Sequence, residues 1–444
     1  MSATSHLAVL ASAVLAAVIC GSFFFGLRSG VTALLMIRPL CDRIFENARF
    51  EVAGSDISCG AILNALVIGV MLINLQRVNR KMQVALERAW LPFLLLMLAA
   101  SFYSPVELDA FRKFATYVSY MAMFVLPFVM IKTEGDVQYF LKIVILSSVG
   151  PVIYALFQLL SGFDWYQDAR IEGTFTHPNI FAFYILTTIG TILCLLASGN
   201  NLLTRKARKI LGLYLLPLII VLVATKTRSA WAGCLFLFLV YGLVADKRVL
   251  VLTFILPIFA LAIPSVNERI QGLLTGTHYV GWVQDVNAYA WREILWGKAL
   301  TLIMQKPVFG YGLYSFPYYS PTFFPLETWR GVDAHNVYIQ LLFETGLAGL
   351  FAYLWIFSQK FVWLFRYWRV DKARLTMTAA MISVYVITGY SDNLLEYVSY
   401  GWCYWFTVGL IYSDLAQYVP VRHALIEPKL GEPLPGTVAD VWGR

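Results

Sequence analysis

Long apolar runs separated by short polar segments recur along almost the whole chain. Most of these runs approach the ~20 residues that a helix needs to cross a bilayer, and they lack the ten-residue alternation typical of barrel strands. The pattern therefore predicts membrane-spanning helices. We place twelve spans at residues 7–26, 60–75, 90–103, 111–131, 138–161, 180–197, 210–225, 230–244, 249–264, 337–357, 375–393 and 397–413.

Two segments near the start of the chain need separate treatment. The run 7–26 has no basic start and no clear small-x-small cleavage site, so we interpret it as the first span and not as a signal peptide. The apolar segment 30–40 is short and ends in Arg38-Pro39. We expect it to be interfacial or re-entrant. If it crosses instead, the N-terminus changes side and everything after it stays in place.

Composition supports a membrane protein. Hydrophobic residues make up 59% of the chain and charged residues 14%, against about a quarter charged in soluble domains. The net charge of +8 lies in short interhelical loops, which argues against nucleic acid as a partner. Cys41 and Cys59 share one polar loop, and we expect them to stay unpaired.

Lysine and arginine set the predicted orientation. They concentrate in the loops 76–89, 199–209, 245–248 and 358–374. These loops fall on one face of the twelve-span arrangement, which is therefore predicted to be cytoplasmic, together with both termini. The loop 27–59 carries four arginines on the opposite face and fits this scheme poorly.

The predicted spans divide the chain into four regions. We assign residues 1–264 to helices one to nine, 265–336 to a long outward loop, 337–413 to helices ten to twelve, and 414–444 to a cytoplasmic tail. The long loop contains an amphipathic stretch at 291–296 and an aromatic, proline-rich run. Such aromatic density is typical of a membrane interface or a sugar-binding surface.

Basic residues on the outward face are the first candidates for chemistry. They are Arg170, Lys226, Arg228, Arg292 and Arg330. Guanidinium groups pair with phosphate oxygens and stay charged at any working pH, so together they predict a diphosphate site. Alternatively, each one snorkels to lipid phosphate or pairs with a neighbouring acid. A turn with two cations between apolar spans is costly without a partner, which favours the site.

A polar segment with histidine leads into the tenth span. His335 has a side chain suited to a general base, or it has a structural role at the helix start. Asp333 either orients this imidazole or caps the helix, and Asn336 is a candidate substrate ligand. In His177-Pro178-Asn179 we expect Asn179 to cap the next span.

Several motifs are missing from the sequence. It has no phosphate-binding loop of the Gly-x-x-x-x-Gly-Lys-Ser/Thr type, no His-Glu-x-x-His, no Cys-x-x-Cys and no Asp-x-Asp in an outward loop. We therefore expect no metal and no cofactor, and any departing diphosphate would be stabilised by arginines.

Three segments together resemble the superfamily of O-antigen ligases and O-antigen polymerases. They are Arg170-x-Glu-Gly-Thr-Phe-x-His-Pro-Asn, Thr225-x-Thr-Arg-Ser-Ala, and Pro307-x-x-Gly-Tyr-Gly followed by Asp333-Ala-His-Asn and Glu344-x-x-Gly. The resemblance covers roughly residues 60–415. It implies a GT-C-type fold in the bacterial inner membrane with an active site facing the periplasm.

The resemblance also implies a reaction. Members of this superfamily move a glycan from undecaprenyl diphosphate to an acceptor sugar, on lipid A–core for a ligase or on a repeat unit for a polymerase, with inversion and without a metal. By resemblance, Arg170 and Arg228 hold the donor diphosphate and His335 activates the acceptor. We add Arg292 and Lys226 to that site, and we favour a ligase slightly. A lipid-linked oligosaccharide transporter is the alternative from another class.

Overall fold

The computed structural model describes residues 3–52, 55–78, 80–161, 170–198, 203–262, 267 and 288–417 and is predominantly helical. The helices are α1 Ala3–Ser22, α2 Leu27–Leu40, α3 Asp42–Asn47, α4 Cys59–Asn74, α5 Arg80–Phe102, α6 Glu107–Met130, α7 Glu134–Leu146, α8 Val149–Leu160, α9 Pro178–Ala197, α10 Arg205–Ala224, α11 Arg228–Val244, α12 Lys247–Ala260, α13 Ala288–Ile303, α14 Ser315–Phe323, α15 Val337–Tyr367, α16 Lys372–Thr388 and α17 Val398–Gln417. Short 3₁₀ turns lie at Phe23–Phe25, Leu75–Arg77 and Leu394–Glu396. An antiparallel hairpin joins β1 (Arg49–Val52) to β2 (Ser55–Ser58), with Arg49 opposite Ser58.

Seven helical segments in the described ranges are long and apolar enough to cross a membrane. They are Cys59–Arg77, Ala85–Phe102, Glu107–Met130, Glu134–Leu160, Pro178–Ala197, Arg205–Ala224 and Val337–Tyr367. Val9–Phe25 and Arg228–Val244 are shorter apolar helices, and α12, α16 and α17 lie at the other predicted spans. The prediction of a polytopic α-helical membrane protein is confirmed, and the count of twelve stays a prediction.

The centre of the bundle is built around α6, α9 and α17. Aromatic side chains fill it: Trp90 meets Trp405 edge-on with ring centroids 4.7 Å apart, and Tyr385 stacks on Tyr404 at 4.1 Å. Large aromatic surfaces and well-matched ring geometry pack these helices densely. The loops that end in this core therefore have a rigid base.

The helix bundle has two ends, which we name by their loops. The site end comprises the loops 170–177, 225–227, 307–314, 333–336 and 389–397. The far end is the opposite one, where α15 ends and α16 begins. The outward loops of the sequence prediction meet at the site end: Ile171 N donates to Ala224 O (3.3 Å) and Val337 N donates to Gly389 O (2.8 Å).

Helix α2 connects the two ends. Near its start, Arg28 forms an ion pair with Asp136 (3.0 Å) at the beginning of α7. Just beyond its end, Arg43 N donates to Thr174 O (3.2 Å) in the loop before α9. Among the described helices, α2 is not one of those long and apolar enough to cross a membrane, so the expectation that segment 30–40 is interfacial or re-entrant stays a prediction, as does the side of the N-terminus. Arg28 lies at the far end, where the predicted cytoplasmic loops are. One of the four arginines of loop 27–59 therefore no longer conflicts with the predicted orientation.

Acidic partners accommodate the other arginines of that loop. Arg38 is buried, donates from Nη1 to Asp42 Oδ1 (3.0 Å) and also pairs with Glu46. Arg43 pairs with Glu172. A buried charge in a membrane protein needs such partners, so α2 tolerates Arg38 without an aqueous surface. All six cysteines, including Cys41 and Cys59 of this region, are free thiols.

Helix α15 is broken at Gly346, where the backbone has φ +63° and ψ −164°. The loop of the Pro307-x-x-Gly-Tyr-Gly motif fills the break. Tyr311 N donates to Phe343 O and Gly312 N to Glu344 O (both 2.9 Å), while Leu347 N donates to Pro307 O (2.8 Å). These bonds replace the helical ones lost at the kink. Thus two separate sequence motifs form one structural unit.

The described part of the long outward loop folds against the start of α15. Leu295 and Ala299 of α13 pack with Phe316 of α14 and with Phe343 of α15 in a small hydrophobic cluster. Trp296 Nε1 also donates to Ala334 O (2.7 Å). This packing fixes the segment that precedes His335.

Charged side chains are also buried at the far end. Arg374 pairs with Asp414 at 2.6 Å, with both side chains nearly inaccessible, and Lys360 is buried in α15. The sequence analysis placed Lys360 and Arg374 in the predicted cytoplasmic loop 358–374 and did not foresee that they are buried.

Candidate functional site

The start of α15 positions His335. Asn336 is the N-cap residue, and its Oδ1 accepts from the backbone N of Tyr338 (2.9 Å) and of Ile339 (3.1 Å). His335 precedes the cap in a left-handed backbone conformation with φ +48°, which is uncommon for a residue with a Cβ. The Asn336 oxygen thus caps the helix, and the role of Asn336 as a substrate ligand stays a prediction.

The imidazole of His335 faces a carboxylate on another loop. Its Nδ1 lies 3.7 Å from Asp392 Oδ1, and 39% of the His335 side chain is exposed, against 1% for Asp392. This distance is longer than a hydrogen bond but short enough for a strong charge interaction when the imidazole is protonated. The Trp291 ring meets the imidazole edge-on at 5.7 Å.

The sequence analysis proposed that Asp333 either orients His335 or caps α15. The structure places Asp333 Oδ1 3.5 Å from Gln340 Nε2, so it neither caps α15 nor is the carboxylate paired with His335. Asp392 occupies that position, at the end of a predicted span that ran to residue 393. A carboxylate inside a predicted span is itself a sign of a functional residue, so the sequence did contain a signal for Asp392.

Asp392 is held by several donors. Its Oδ1 accepts from Tyr397 OH (2.7 Å) and from the backbone N of Asn393 (2.9 Å), while Asn179 Nδ2 donates to Oδ2. Burial by itself raises the pKa of this carboxyl, but the charges of His335 and Arg292 and the Tyr397 hydrogen bond outweigh it and hold the pKa below its usual value. Asp392 is therefore an anion at neutral pH.

Asn179 links this carboxylate to Arg170. Arg170 donates from Nη2 to Asn179 Oδ1 (2.5 Å) and to Thr227 Oγ1 (2.7 Å), and from Nε to Thr225 O (2.8 Å). A guanidinium needs an acceptor and a carboxylate needs a donor, so both neighbours fix the orientation of the amide. The result is a continuous chain from Arg170 through Asn179 and Asp392 to His335.

The expectation that Asn179 caps α9 is wrong. His177 is the N-cap residue, and its Nδ1 accepts from Asn179 N at 3.1 Å. Burial lowers the pKa of His177, and the positive charges of Arg170, His335 and Arg292 lower it further against the opposing effect of Asp392. A neutral imidazole at this position leaves Nδ1 free to accept. The Asn179 side chain then becomes available to the site.

The turn after α10 brings two further candidates to the same place. Lys226 has a left-handed backbone, with φ +52°, and Arg228 is the first residue of α11. Between them, Thr227 Oγ1 lies 3.2 Å from Asn179 Oδ1, which ties the turn to the Arg170 chain. Lys226 and Arg228 are both half-buried.

The outward loop contributes the remaining basic candidates. Arg292 of α13 lies close enough for its positive charge to act on Asp392 and His177. Arg330 sits farther out: its side chain is 56% exposed and pairs with Glu327. Glu327 in turn accepts from Trp291 Nε1 at 3.0 Å.

Together, these contacts place a cluster of cations beside a half-exposed imidazole that is backed by a buried carboxylate. Cations and helix starts suit an anionic group such as a diphosphate, and an imidazole with a carboxylate partner suits proton abstraction. Within the described residues, no group of three or more His, Cys, Asp or Glu side chains is arranged to hold a metal ion.

Comparison with known proteins gave one family match. Residues 213–354 match the family model for O-antigen ligase. The matched segment includes Arg228, Arg292, Arg330 and His335, whereas Arg170, Asn179 and Asp392 lie outside it. No curated protein matches the chain.

Proposed function

The match of residues 213–354 supports the O-antigen ligase and polymerase superfamily, and from this premise we propose that the protein is a ligase-type glycosyltransferase. In this proposal it moves a glycan from undecaprenyl diphosphate to a sugar of lipid A–core. The reaction takes place at the periplasmic face of the bacterial inner membrane, inverts the anomeric centre and needs no metal.

The observation that carries the proposal is the chain from Arg170 to His335. It joins a cation suited to a diphosphate to a side chain suited to a general base, through the direct contacts of Asn179 and Asp392. A single displacement needs both functions at one place, because the acceptor must lose a proton as the diphosphate departs.

Each group then has a role in the bond changes. Asp392 faces Nδ1 of His335, which leaves Nε2 for the acceptor hydroxyl. As the acceptor oxygen bonds to the anomeric carbon, its proton passes to Nε2 and the bond from that carbon to the diphosphate oxygen breaks. Asp392 stabilises the imidazolium that forms. Arg170 and Arg228 stabilise the charge on the departing diphosphate, with Arg292 and Lys226 near them.

Arg330, Asn336 and the membrane lipids have other roles in this proposal. Arg330, paired with Glu327, lies at the rim, where it is suited to guiding an anionic substrate and not to the reacting bond. Asn336 is assigned to the helix cap. Membrane lipids would surround the apolar helices, and the undecaprenyl chain of the donor would lie among them.

The test is glycan transfer in a bacterial strain that lacks its own ligase. The intact protein is compared with His335→Ala and Arg228→Ala at equal membrane abundance. Tyr390→Phe is the matched control, because Tyr390 is an exposed residue of the Asp392 loop. We expect polymer linked to lipid A–core with the intact protein and the control, and none with the other two variants.

Other outcomes would overturn parts of the proposal. Long polymer that remains on its lipid carrier would identify a polymerase of the same superfamily. Lipid-linked glycan that changes membrane face without any transfer would indicate a transporter. Full transfer by the His335 variant would refute the general-base role.

A further inference from the structure

Far from the candidate site, Lys360 is buried in aromatic surroundings. Lys360 is only 2% exposed, and its Nζ lies 3.7 Å from the centre of the Phe124 ring, 5.7 Å from Tyr412 and 5.9 Å from Trp90. Among the residues that the structure describes, no carboxylate pairs with this ammonium group. Aromatic faces attract a cation, but they offer no oxygen acceptor for its three hydrogen-bond donors.

A cavity of about 110 Å³ adjoins this lysine between α5 and α15. Gln359, Trp363 and Arg366 line it from one face of α15, and the small side chains of Ala85 and Ala89 on α5 leave the space open. No acidic residue is among the described residues of its lining. The electrostatics of this cavity therefore favour an anion.

The position of the cavity along α15 limits the kind of anion. Lys360 lies 23 residues beyond the start of α15 at Val337, which is at most about 35 Å along the two segments of this broken helix and comparable to the thickness of a bilayer core. The cavity is thus at the far end, near the basic last turn with Arg366. Lipid headgroup phosphates lie at this depth, and basic pockets between spanning helices bind anionic headgroups.

We infer that the cavity between α5 and α15 is a binding site for the phosphate of an anionic phospholipid in the leaflet opposite the candidate active site. Lys360, held by the rings of Phe124, Tyr412 and Trp90, donates to the phosphate oxygens, and Arg366 pairs with the headgroup at the mouth. The apolar lining of Trp363 accommodates the start of an acyl chain. This site is independent of the glycosyl transfer proposed above.

The test uses the delipidated full-length protein in a neutral detergent. Phosphatidylglycerol or phosphatidylcholine is added in mixed micelles, and bound lipid is counted by native mass spectrometry alongside the thermal unfolding midpoint. We expect phosphatidylglycerol to bind at least tenfold more tightly than phosphatidylcholine and to raise the midpoint. Lys360→Met should abolish this preference, whereas Lys372→Met, an exposed cation at the same end, should change it by less than twofold.

A second variant keeps the test decisive if Lys360→Met does not fold. Arg366 is exposed, so Arg366→Gln should fold normally and weaken phosphatidylglycerol binding several-fold. Equal binding of the two lipids, or an unchanged preference in both Lys360→Met and Arg366→Gln, would overturn the inference. An equal rise in the midpoint with inorganic phosphate alone would assign the cavity to a free anion and overturn the lipid assignment.

Discussion

Replacing Asp392 with asparagine removes a charge next to His335 and nearly preserves the shape of the side chain. The amide can still accept from Tyr397 OH and from Asn393 N, both of which contact Oδ1. Its new NH₂ group, however, would face the Asn179 NH₂ group that now donates to Oδ2. The substitution therefore tests the charge on His335 and the connection to Arg170.

The size of the effect follows from the distance. Opposite unit charges 3.7 Å apart attract each other by about 4.5 kcal/mol at an effective dielectric constant near 20. Because 39% of the His335 side chain is exposed, solvent screening reduces this value to about 2 kcal/mol. If the imidazolium forms in the transition state, its loss lowers the rate by roughly 30-fold.

The assay is the initial rate of glycan transfer by purified protein, with a lipid-linked donor and a soluble acceptor. We expect Asp392→Asn to lower kcat about 30-fold and to leave the thermal midpoint within a few degrees of the unmodified protein. Tyr390→Phe in the same loop should retain full activity. A kcat within twofold of the unmodified protein, at equal purity and stability, would refute the charge role of Asp392.

Two further predictions concern stability. Gly346→Ala should destabilise the protein by about 2 kcal/mol or more in a thermal unfolding experiment. A Cβ there would lie 2.3 Å from Val308 backbone atoms, in a backbone conformation reserved for glycine. The control Gly212→Ala, which has open space in α10, should be neutral or slightly stabilising in the same experiment. His177 has a lowered pKa, so its contribution is complete above pH 6.5 and is lost as the pH falls through the lowered value. His177→Asn keeps a cap that does not titrate, and it should flatten the decline of the unfolding midpoint between about pH 7 and 5; an unchanged slope would contradict the assigned cap.

Much of the architecture was accessible from apolar patterning. Hydrophobic runs of near-span length predicted helices at the right places, because a run of this length has few alternatives in a membrane. Segment 30–40 stays open, since its length and Arg38 argue against crossing and α2 is not among the described helices long and apolar enough to span a membrane. The structure answers only the objection from charge, because Asp42 and Glu46 pair with Arg38.

The candidate site was predictable where the chemistry lay in local motifs. Arg170, Arg228 and His335 stood out because outward cations and a histidine at a span boundary are unusual. Asp392 was missed because its partner is distant in sequence, and no local pattern links the two. Asn179 was misassigned because asparagine is a common helix cap, and the neighbouring His177 takes that function here.

The proposed reaction is tested most directly by transfer in a defined system. Purified protein would receive an undecaprenyl diphosphate donor of known anomeric configuration and an acceptor, with and without a metal chelator, and the product linkage would be read by NMR. We predict an inverted linkage at a rate that the chelator does not change, and no product with His335→Ala. A retained configuration, loss of activity with the chelator, or full activity of that variant would contradict the metal-free displacement assigned to this site.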